Sequence, residues 1–314
     1  MQRHRLLLED QIFGMPRLRP MLASPFGEPF DDAEWLFEVK WDGYRALAYV
    51  SGDDVYLDSR NRKPLLPQFP NLRDITRAVR AGQVVLDGEI VAMREGRVDF
   101  SYLRTGPPSV TFVVFDILFL DGRLLTGRTL VERKEELLRV VRQEGSVAVS
   151  QVVDGCGRAL FDWVKAKDME GIVAKRKAGV YRVGEESRDW LKVKNLREGR
   201  FWVLGYARSP GRTLGSLVVA EKTDGGFLVV GRVSSGLNRD YERELLEVLE
   251  DLSFEDLVSR EGVVYNAPSR KGMQEIRWVR PYFGVEVSFT EMTPDKKLRH
   301  PVFRGLVGGD RSDT

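Results

Sequence analysis

The stretch FEVKWDGYRA, residues 37–46, places a lysine inside an apolar run. Lys40 stands between Val39 and Trp41, and this pattern predicts a partly buried lysine at the end of a strand. Burying an ammonium group is costly unless it is paired or loses its proton, and a deprotonated lysine is a nucleophile. A lysine whose stem packs on Trp41 while its ammonium reaches solvent explains the stretch equally well. The stretch alone leaves both interpretations open.

Other apolar strands also carry charged residues. In LDGEIVA and in WLKVK, two charged residues stand two positions apart, which is the spacing of one strand face. Buried charges need partners, and a pocket shared by several strands can supply them. We therefore expect one polar pocket lined by several strands. The charged positions that indicate it are Asp87, Glu89, Asp116, Glu170, Lys175, Lys192 and Lys194.

The elements that would position these residues are mostly strands. Short apolar runs separated by glycine and aspartate predict strands at WLFEVKW, RALAYV, DVYLDS, VVLDGEIVAM, TFVVFDILFL, GIVAKRK and WLKVK. Helical spacing predicts helices at NLRDITRAVRA, LVERKEELLRVVRQE and GRALFDWVKAKDME. After the polar link LREGR come a strand meander, the amphipathic helix RDYERELLEVLEDL and further strands. This last part predicts a small barrel of the oligonucleotide-binding (OB) type.

The composition narrows the class of protein. The chain has 314 residues, 42% hydrophobic and 31% charged, as in a globular protein with two domains. The net charge is +2, from 49 basic and 47 acidic residues, which excludes a uniformly basic surface but allows a local basic face. One cysteine excludes an intrachain disulfide framework and a cysteine zinc site. The N-terminal residues lack the apolar core of a secretory signal, and no stretch reaches the ~20 apolar residues of a membrane span, so we expect a cytoplasmic protein without membrane contact.

Six ordered motifs resemble those of the covalent nucleotidyltransferases, a superfamily of ATP-dependent DNA ligases, RNA ligases and mRNA capping enzymes. They are KWDG at 40–43, SRN at 59–61, DGE at 87–89, FDIL at 115–118, EGIVAK at 170–175 and WLKVK at 190–194. The stretches MLASPFGEPFDDAEWLFEVKWDGYRALA, VGRVSSGLN and LRHPVFRGL further resemble the ligase module of bacterial DNA ligase D, an enzyme of non-homologous end joining. The sequence has no GxxxxGK segment, which argues against a P-loop NTPase.

The resemblance implies an α+β fold in two domains. Residues 1–197 would form a nucleotidyltransferase (adenylation) domain of antiparallel sheets with flanking helices, and residues 198–314 an OB-fold β-barrel. The implied enzyme is an ATP-dependent DNA ligase that seals 5′-phosphate/3′-hydroxyl nicks through a lysine–AMP intermediate, in DNA break repair by end joining. The implied partners of this monomer are nicked duplex DNA, Ku, and end-joining polymerase and nuclease proteins.

The resemblance also implies a role for each motif residue. Lys40 would attack the α-phosphate of ATP, and Lys192 and Lys194 would neutralise that phosphate. The other nucleotide contacts would be Glu38 to the adenine amino group, Arg45 and Glu89 to the ribose, Arg60 and Arg188 to phosphate, and Phe115 and Ile172 to the two adenine faces. Mg²⁺ or Mn²⁺ would bind Glu170, with Asp42 and Asp87 nearby, because these cations prefer oxygen ligands.

Two other interpretations remain open at this point. The first is an RNA ligase or a capping guanylyltransferase, against which Glu38 and the ligase D-like stretches argue. Labelling with ATP or GTP would separate these nucleotide specificities. The second is a non-catalytic module that binds DNA ends, although every expected catalytic position of the first domain is present. Failure to form any lysine–AMP adduct would favour this second interpretation.

The C-terminal motif departs from the family pattern. A stretch like FRGL is usually followed by arginine, any residue, aspartate and lysine, but here the chain continues VGGDRSDT. Val307 and Asp310 stand where the arginine and the lysine are expected. Either Arg299, Arg304 or Arg311 supplies the cation from a shifted position, or the first step, self-adenylation, is slow.

Overall fold

The computed structural model describes residues 10–106, 109–209, 212–237, 239–252, 276–293 and 295–307. The chain divides into two compact units, Met1–Asn195 and Leu196–Thr314. The helices in the described ranges are α1 (Ile75–Ala78), α2 (Phe100–Arg104), α3 (Leu130–Val140), α4 (Gly157–Ala166) and α5 (Arg239–Asp251), with a 3₁₀ turn at Pro70–Asp74. None of these helices is long and apolar enough to cross a membrane.

The first unit is built mainly from strands. Their bounds are β1 (Gln11–Ile12), β2 (Met15–Pro16), β3 (Leu22–Pro25), β4 (Asp31–Val39), β5 (Tyr44–Ser51), β6 (Asp54–Ser59), β7 (Gln83–Val91), β8 (Met93–Arg94), β9 (Arg97–Val98), β10 (Thr111–Leu120), β11 (Arg123–Leu124), β12 (Val147–Val149), β13 (Val153–Cys156), β14 (Gly171–Arg176) and β15 (Glu186–Lys194). Every strand predicted for this part of the sequence is present. The helix predicted at NLRDITRAVRA is shorter than its pattern, because its first half forms the 3₁₀ turn.

Two sheets of this unit enclose the candidate site. The first has the order β11-β10-β7-β5-β6, with β12 parallel to β10, and the second has the order β13-β4-β14-β15-β3. Apolar residues of both sheets share one core, in which Leu47 and Tyr49 of β5 lie with Trp190 of β15. The opposite face of the first sheet packs under α1 and α3, and the opposite face of the second packs under α4. The strands that carry the motifs therefore meet between the two sheets.

Helix α3 begins with a capping box. The Thr129 side chain accepts a hydrogen bond from the Glu132 amide, and the Glu132 carboxylate accepts one from the Thr129 amide at 2.8 Å. This arrangement satisfies two amide groups that would otherwise lack partners at the helix start. Two cations, Arg133 and Lys134, lie on the buried face of the helix beside Leu137. Arg133 is fully buried and pairs through two nitrogens with Asp116 of β10, at 2.8 and 2.9 Å.

In its described residues, the second unit is a β-barrel with short additional strands and the helix α5. Its strands are β16 (Arg197–Ser209), β17 (Arg212–Thr223), β18 (Gly226–Val233), β19 (Ile276–Trp278), β20 (Gly284–Phe289), β21 (Glu291–Met292), β22 (Leu298–Arg299) and β23 (Val302–Val307). The main sheet has the order β18-β17-β16-β20-β23. A parallel bridge from Ser235, just after β18, to Val302 of β23 closes it. This strand order and the position of α5 between β18 and β20 are those of an OB fold.

The departure in the C-terminal motif falls at the end of this barrel. Val307 is the last residue of β23, whereas Asp310 and Arg311 lie outside the described residues. Arg304 is exposed on the same strand, and its Nε donates to Ser288 Oγ at 2.8 Å. Arg299 pairs with Glu291 at 2.7 Å.

Candidate active site

Lys40 lies in the turn that passes from one sheet to the other. β4 of the second sheet ends at Val39 and β5 of the first begins at Tyr44. The Lys40 amide donates to the Gly171 carbonyl at 2.8 Å, which continues the pairing of β4 with β14. Gly43 closes the turn, where a Cβ atom would lie 2.1 Å from the Ile90 carbonyl oxygen. The glycine of KWDG is required because another backbone passes at van der Waals distance.

The Lys40 ammonium contacts one carboxylate. Its Nζ lies 2.5 Å from Glu170 Oε2, and the two side chains are only 23% and 17% exposed. The backbone around Glu170 is held by Asn195, whose amide donates to the Glu170 carbonyl at 2.9 Å and whose side chain donates to the Met169 carbonyl at 3.0 Å. The carboxylate that meets Lys40 therefore stands on fixed backbone just before β14.

Three of the predicted phosphate-binding cations, Lys192, Lys194 and Arg60, are close enough to interact electrostatically with Lys40 or with one another. Lys192 and Lys194 stand on β15, opposite Val173 and Gly171 of β14. Burial lowers the pKa of Lys192, and the nearby charges of Lys194, Lys40 and Arg60 lower it further, while Glu186 opposes them. The charges of Lys194, Lys40 and Arg60 therefore all lie close enough to act on Lys192, which raises the local positive potential.

Arg45, predicted as a ribose contact, is held by Asp87. Its Nε and Nη2 donate to the two Asp87 oxygens at 2.5 and 2.6 Å. The Tyr181 hydroxyl donates to Asp87 Oδ2 at 2.6 Å and accepts from the Met21 amide at 2.9 Å. Burial and the Asp87 charge raise the pKa of Tyr181 well above its ordinary value, so the hydroxyl remains a donor. Burial also raises the pKa of Glu89, opposite Arg45 on β7, to about 8.

Glu38 lies between two lysines. Its Oε1 is 2.7 Å from Lys134 Nζ and 2.8 Å from Lys175 Nζ, and the carboxylate is buried. These contacts have the geometry of ion pairs rather than of directed hydrogen bonds. Burial by itself raises the pKa of Glu38, but the two ammonium charges outweigh burial and lower it. Burial lowers the pKa of Lys175 to about 8 although Glu38 opposes that shift.

Phe115 enters the site through a β-bulge. Val114 pairs with Gly88 of β7 and Asp116 pairs with Asp87, so Phe115 is the extra residue on β10. Its ring centroid lies 4.4 Å from Arg45 Cζ and 4.3 Å from Lys175 Nζ. An aromatic ring at these distances attracts both cations through its quadrupole.

The sequence predicts that Ile172 contacts the adenine face opposite Phe115, and the structure contradicts this. Ile172 is fully buried against Phe37 and Val164, on the α4 side of the second sheet. Because side chains alternate along a strand, its neighbour Val173 faces the other way and packs against the core that contains Phe115. Val173 is the aliphatic residue on that side of β14.

The predicted metal ligands do not form one cluster. Among the described residues, no three acidic, histidine or cysteine groups are arranged to hold an ion. The prediction that Asp87 binds metal is not supported, because both of its oxygens are occupied by Arg45 and Tyr181 and the side chain is fully buried. Glu170 lies at the Lys40 contact, and Asp42 stands in the same turn as Lys40. Arg188 is exposed on β15.

Several residues of the site were not assigned roles from the sequence. The sequence contains a pattern that could have identified Lys134. This lysine stands at the helical spacing of the apolar positions Leu130 and Leu137, where a charge is unexpected. No such pattern marks Tyr181 or Val173, because nothing in the surrounding sequence distinguishes them from ordinary core residues.

Comparisons with known proteins agree with this architecture. Residues 20–194 match the family described as ATP dependent DNA ligase domain, and residues 210–308 match the ATP dependent DNA ligase C terminal region. The multifunctional non-homologous end joining DNA repair protein LigD of Mycobacterium tuberculosis (strain ATCC 25618 / H37Rv) is 32% identical over 305 residues, which cover 95% of this chain and 39% of that protein. The chain thus spans well under half the length of this relative.

Two further relatives match over nearly their whole length. DNA ligase C1 of Mycolicibacterium smegmatis is 33% identical over 317 residues, covering 91% of this chain and 88% of that protein. The solved structure of mycobacterial DNA ligase D complexed with ATP and MES has 30% identity and a TM-score of 0.54, covering 93% of this chain and 95% of that chain.

The two-sheet site and the OB-fold barrel, together with these matches, define the class as the covalent nucleotidyltransferases. Within this class, the chain belongs to the ATP-dependent DNA ligase family. The predicted α+β fold and the predicted family are confirmed by these matches.

Proposed function

We propose that this chain seals nicks in duplex DNA in three steps, with Lys40 as the carrier of AMP. The observation that supports this most directly is the Lys40–Glu170 contact of 2.5 Å, in a turn surrounded by Lys192, Lys194 and Arg60. A part-buried nucleophile surrounded by cations suits attack on a phosphate, because phosphoryl transfer depends mainly on positioning and charge neutralisation.

In the first step, the lone pair of Lys40 Nζ attacks the α-phosphorus of ATP. The new bond joins nitrogen to phosphorus, the bond to the β-phosphate oxygen breaks, and pyrophosphate leaves. Two protons leave Nζ, one from the ammonium before the attack and one after the bond to phosphorus has formed, and both pass to solvent, which reaches this part-exposed pair. AMP then passes to the 5′-phosphate of the nick, and the 3′-hydroxyl displaces AMP to close the strand. Lys192 and Lys194 neutralise the α-phosphate throughout.

The adenosine would lie between the two sheets. Phe115 stacks on the adenine, with Val173 on the opposite side of the site. Glu38, fixed by its two lysines, meets the adenine edge, and Arg45 and Glu89 meet the ribose. Arg60 and Arg188 bind phosphate. The cation and aromatic contacts around Phe115 support this placement.

A divalent cation fits the residues present. Mg²⁺ is commonly held by one or two carboxylates together with substrate phosphates. Glu170 provides such a carboxylate beside the proposed phosphate site, and Asp42 is a second candidate in the Lys40 turn. Bound Mg²⁺ or Mn²⁺ would supply charge neutralisation at the triphosphate.

The relatives support a proposal for the biological setting. LigD of Mycobacterium tuberculosis is described as a non-homologous end joining DNA repair protein, and the solved structure of its ligase domain resembles this chain. We place this chain in the same pathway, in the cytoplasm, acting as a monomer on nicked DNA with Ku and end-joining polymerase and nuclease proteins as partners.

The test is sealing of a 5′-phosphorylated nick with ATP and Mg²⁺ or Mn²⁺. The expected results are a joined strand and a protein–AMP adduct formed from ATP and not from GTP. An adduct formed from GTP would indicate a capping-type enzyme instead. Failure to form any adduct would overturn the proposal and favour a DNA-end-binding module.

A further inference from the structure

Tyr181 lies beneath the proposed nucleotide site and belongs to none of the matched motifs. It stands between β14 and β15 and is only 3% exposed. Its hydroxyl connects Asp87 of the first sheet, at 2.6 Å, to the Met21 amide just before β3 of the second, at 2.9 Å. Its ring packs edge-on against Trp190, with centroids 5.8 Å apart. Tyr181 therefore ties together both sheets and the N-terminal segment.

The Tyr181 hydroxyl is one of the hydrogen-bond donors to the Asp87 carboxylate. The carboxylate is fully buried, and Oδ2 is shared between Arg45 Nη2 and the Tyr181 hydroxyl. A buried carboxylate oxygen that loses one of two donors rotates or moves toward the donor that remains. Because Arg45 holds Asp87 through two parallel contacts, the guanidinium plane must follow the carboxylate.

Arg45 also faces Phe115, as Lys175 does. Its Cζ lies 4.4 Å from the Phe115 ring centroid and 5.5 Å from that of Trp190. A shift of the guanidinium therefore changes the surface presented where the adenosine is proposed to bind.

We propose that Tyr181 is a positioning residue for nucleotide binding, which fixes Asp87 and through it orients Arg45 toward the nucleotide. This inference rests on the proposed function, in which Arg45 contacts the ribose of ATP. The ribose does not react, so its contact with Arg45 stabilises the bound substrate and the transition state alike. Losing such a contact raises KM and leaves kcat nearly unchanged.

The chain offers a matched control in Tyr49. Its hydroxyl also accepts from an amide of the N-terminal segment, that of Leu18, at 2.8 Å. Tyr49 is fully buried and belongs to the same apolar core as Tyr181. A phenylalanine at either position removes one buried hydroxyl and leaves one backbone amide without its acceptor, but only Tyr181 contacts Asp87.

The experiment measures the rate constant of Lys40 adenylation in the full chain as a function of the concentration of labelled ATP. KM here is the ATP concentration that gives half of the limiting rate constant, and kcat is that limiting rate constant. Tyr181→Phe should raise the KM for ATP roughly five- to tenfold, the scale of one lost charge-assisted hydrogen bond, while kcat changes by less than about twofold. Tyr49→Phe should lower the thermal midpoint about as much as Tyr181→Phe does. It should nevertheless change KM and kcat by less than about twofold. Circular dichroism confirms that both variants are folded.

A double-mutant cycle tests whether the effect passes through Arg45. In an Arg45→Lys background, which keeps the charge but loses the two parallel contacts, Tyr181→Phe should raise KM by less than about twofold further. A full additional five- to tenfold rise would overturn the proposal. Equal KM effects of Tyr181→Phe and Tyr49→Phe would also overturn it, since loss of core packing would then explain both.

Failure of the proposed function gives a different result. If the wild-type chain forms no adduct with ATP, the proposed function fails first. If the wild-type chain forms the adduct and Tyr181→Phe has the wild-type KM, only the positioning role fails.

Discussion

Two lysines of the candidate site have different surroundings. Lys40 is partly buried and Lys175 is buried. Lys40 pairs with the Glu170 carboxylate, and its side chain is 23% exposed. Lys175 is almost fully buried, shares Glu38 with Lys134, and lies 4.3 Å from the Phe115 ring centroid. The first is accessible to solvent and to a substrate, whereas the second is enclosed by protein groups. This difference in access is the structural reason to assign the nucleophile to Lys40.

Replacing Lys40 with arginine is expected to abolish the protein–AMP adduct. Arginine keeps the positive charge and the length of the side chain, but it stays protonated and cannot attack phosphorus. The measurement is transfer of label from α-labelled ATP to the protein. Lys177→Arg is the control, because Lys177 also pairs with a carboxylate, Asp154, at 2.6 Å and should keep full labelling. Any adduct in Lys40→Arg would show that another residue is the nucleophile.

The depressed pKa of Lys175, about 8, predicts a pH dependence of stability. Between pH 8 and the ordinary lysine value, the folded chain has released this proton and the unfolded chain still binds it. The unfolded state then binds more protons, so Lys175 makes the free energy of unfolding rise with pH in this window. The groups that face Lys175 are Glu38, Lys134 and Asp116.

Lys175→Met should remove this rise. From pH 8 to pH 9.5, the free energy of unfolding of the wild-type chain should increase relative to the variant by on the order of 2 kcal/mol, from 1.36 kcal/mol per pKa unit. Urea denaturation at the two pH values measures the difference. Lys177→Met, at a partly exposed lysine, serves as the control. An equal change with pH in wild type and Lys175→Met would show that Lys175 titrates normally.

Strand β14 begins directly after Glu170, and its first residue explains why the strand pairs closely with β15. Gly171 has φ +148°, and a Cβ atom there would lie 2.2 Å from the Val193 carbonyl oxygen. That oxygen belongs to the backbone of the neighbouring strand and cannot move aside as a flexible side chain can. The glycine is therefore needed for the approach of β15, and with it Lys192 and Lys194, to Glu170.

Gly171→Ala is expected to lower the free energy of unfolding by at least about 2 kcal/mol and to impair adenylation, because the clash separates β14 from β15. Denaturant unfolding and the labelling assay measure the two effects. Gly127→Ala is the control, since a Cβ atom at Gly127 would have no heavy atom within 4 Å and the φ of this residue is not in the positive range, and it should be nearly neutral. A stable, active Gly171→Ala chain would mean that β15 can shift without loss of the site.

The whole molecule has nearly balanced charge, with 49 basic and 47 acidic residues. A nick is surrounded by phosphates, so a chain with this balance must gather basic groups where DNA binds. Under the proposed function, the cluster of Lys40, Arg60, Lys192 and Lys194 would be one such place.

Binding of nicked duplex DNA is expected to weaken with salt, because each phosphate contact releases a condensed counterion. Between 50 and 200 mM salt, the dissociation constant should rise by at least roughly tenfold, which corresponds to a few phosphate contacts. Fluorescence anisotropy with a labelled nicked duplex measures this, and a urea midpoint that stays constant over the same range shows that the fold is unaffected. A dissociation constant independent of salt would contradict a basic DNA-binding face.

The sequence by itself determined the fold class, the positions of most strands along the chain and the motifs that carry the candidate site. KWDG, DGE and WLKVK are local patterns, and strand alternation correctly predicted that Asp87 and Glu89 share one face. Only the tertiary structure decided which groups meet. Glu38 pairs with Lys134 of a distant helix, Tyr181 takes an oxygen of Asp87, and Val173 rather than Ile172 faces Phe115. The physical reason is that local spacing assigns residues to alternating faces, whereas long-range sheet and helix packing decides which face is buried against what, and so selects each partner.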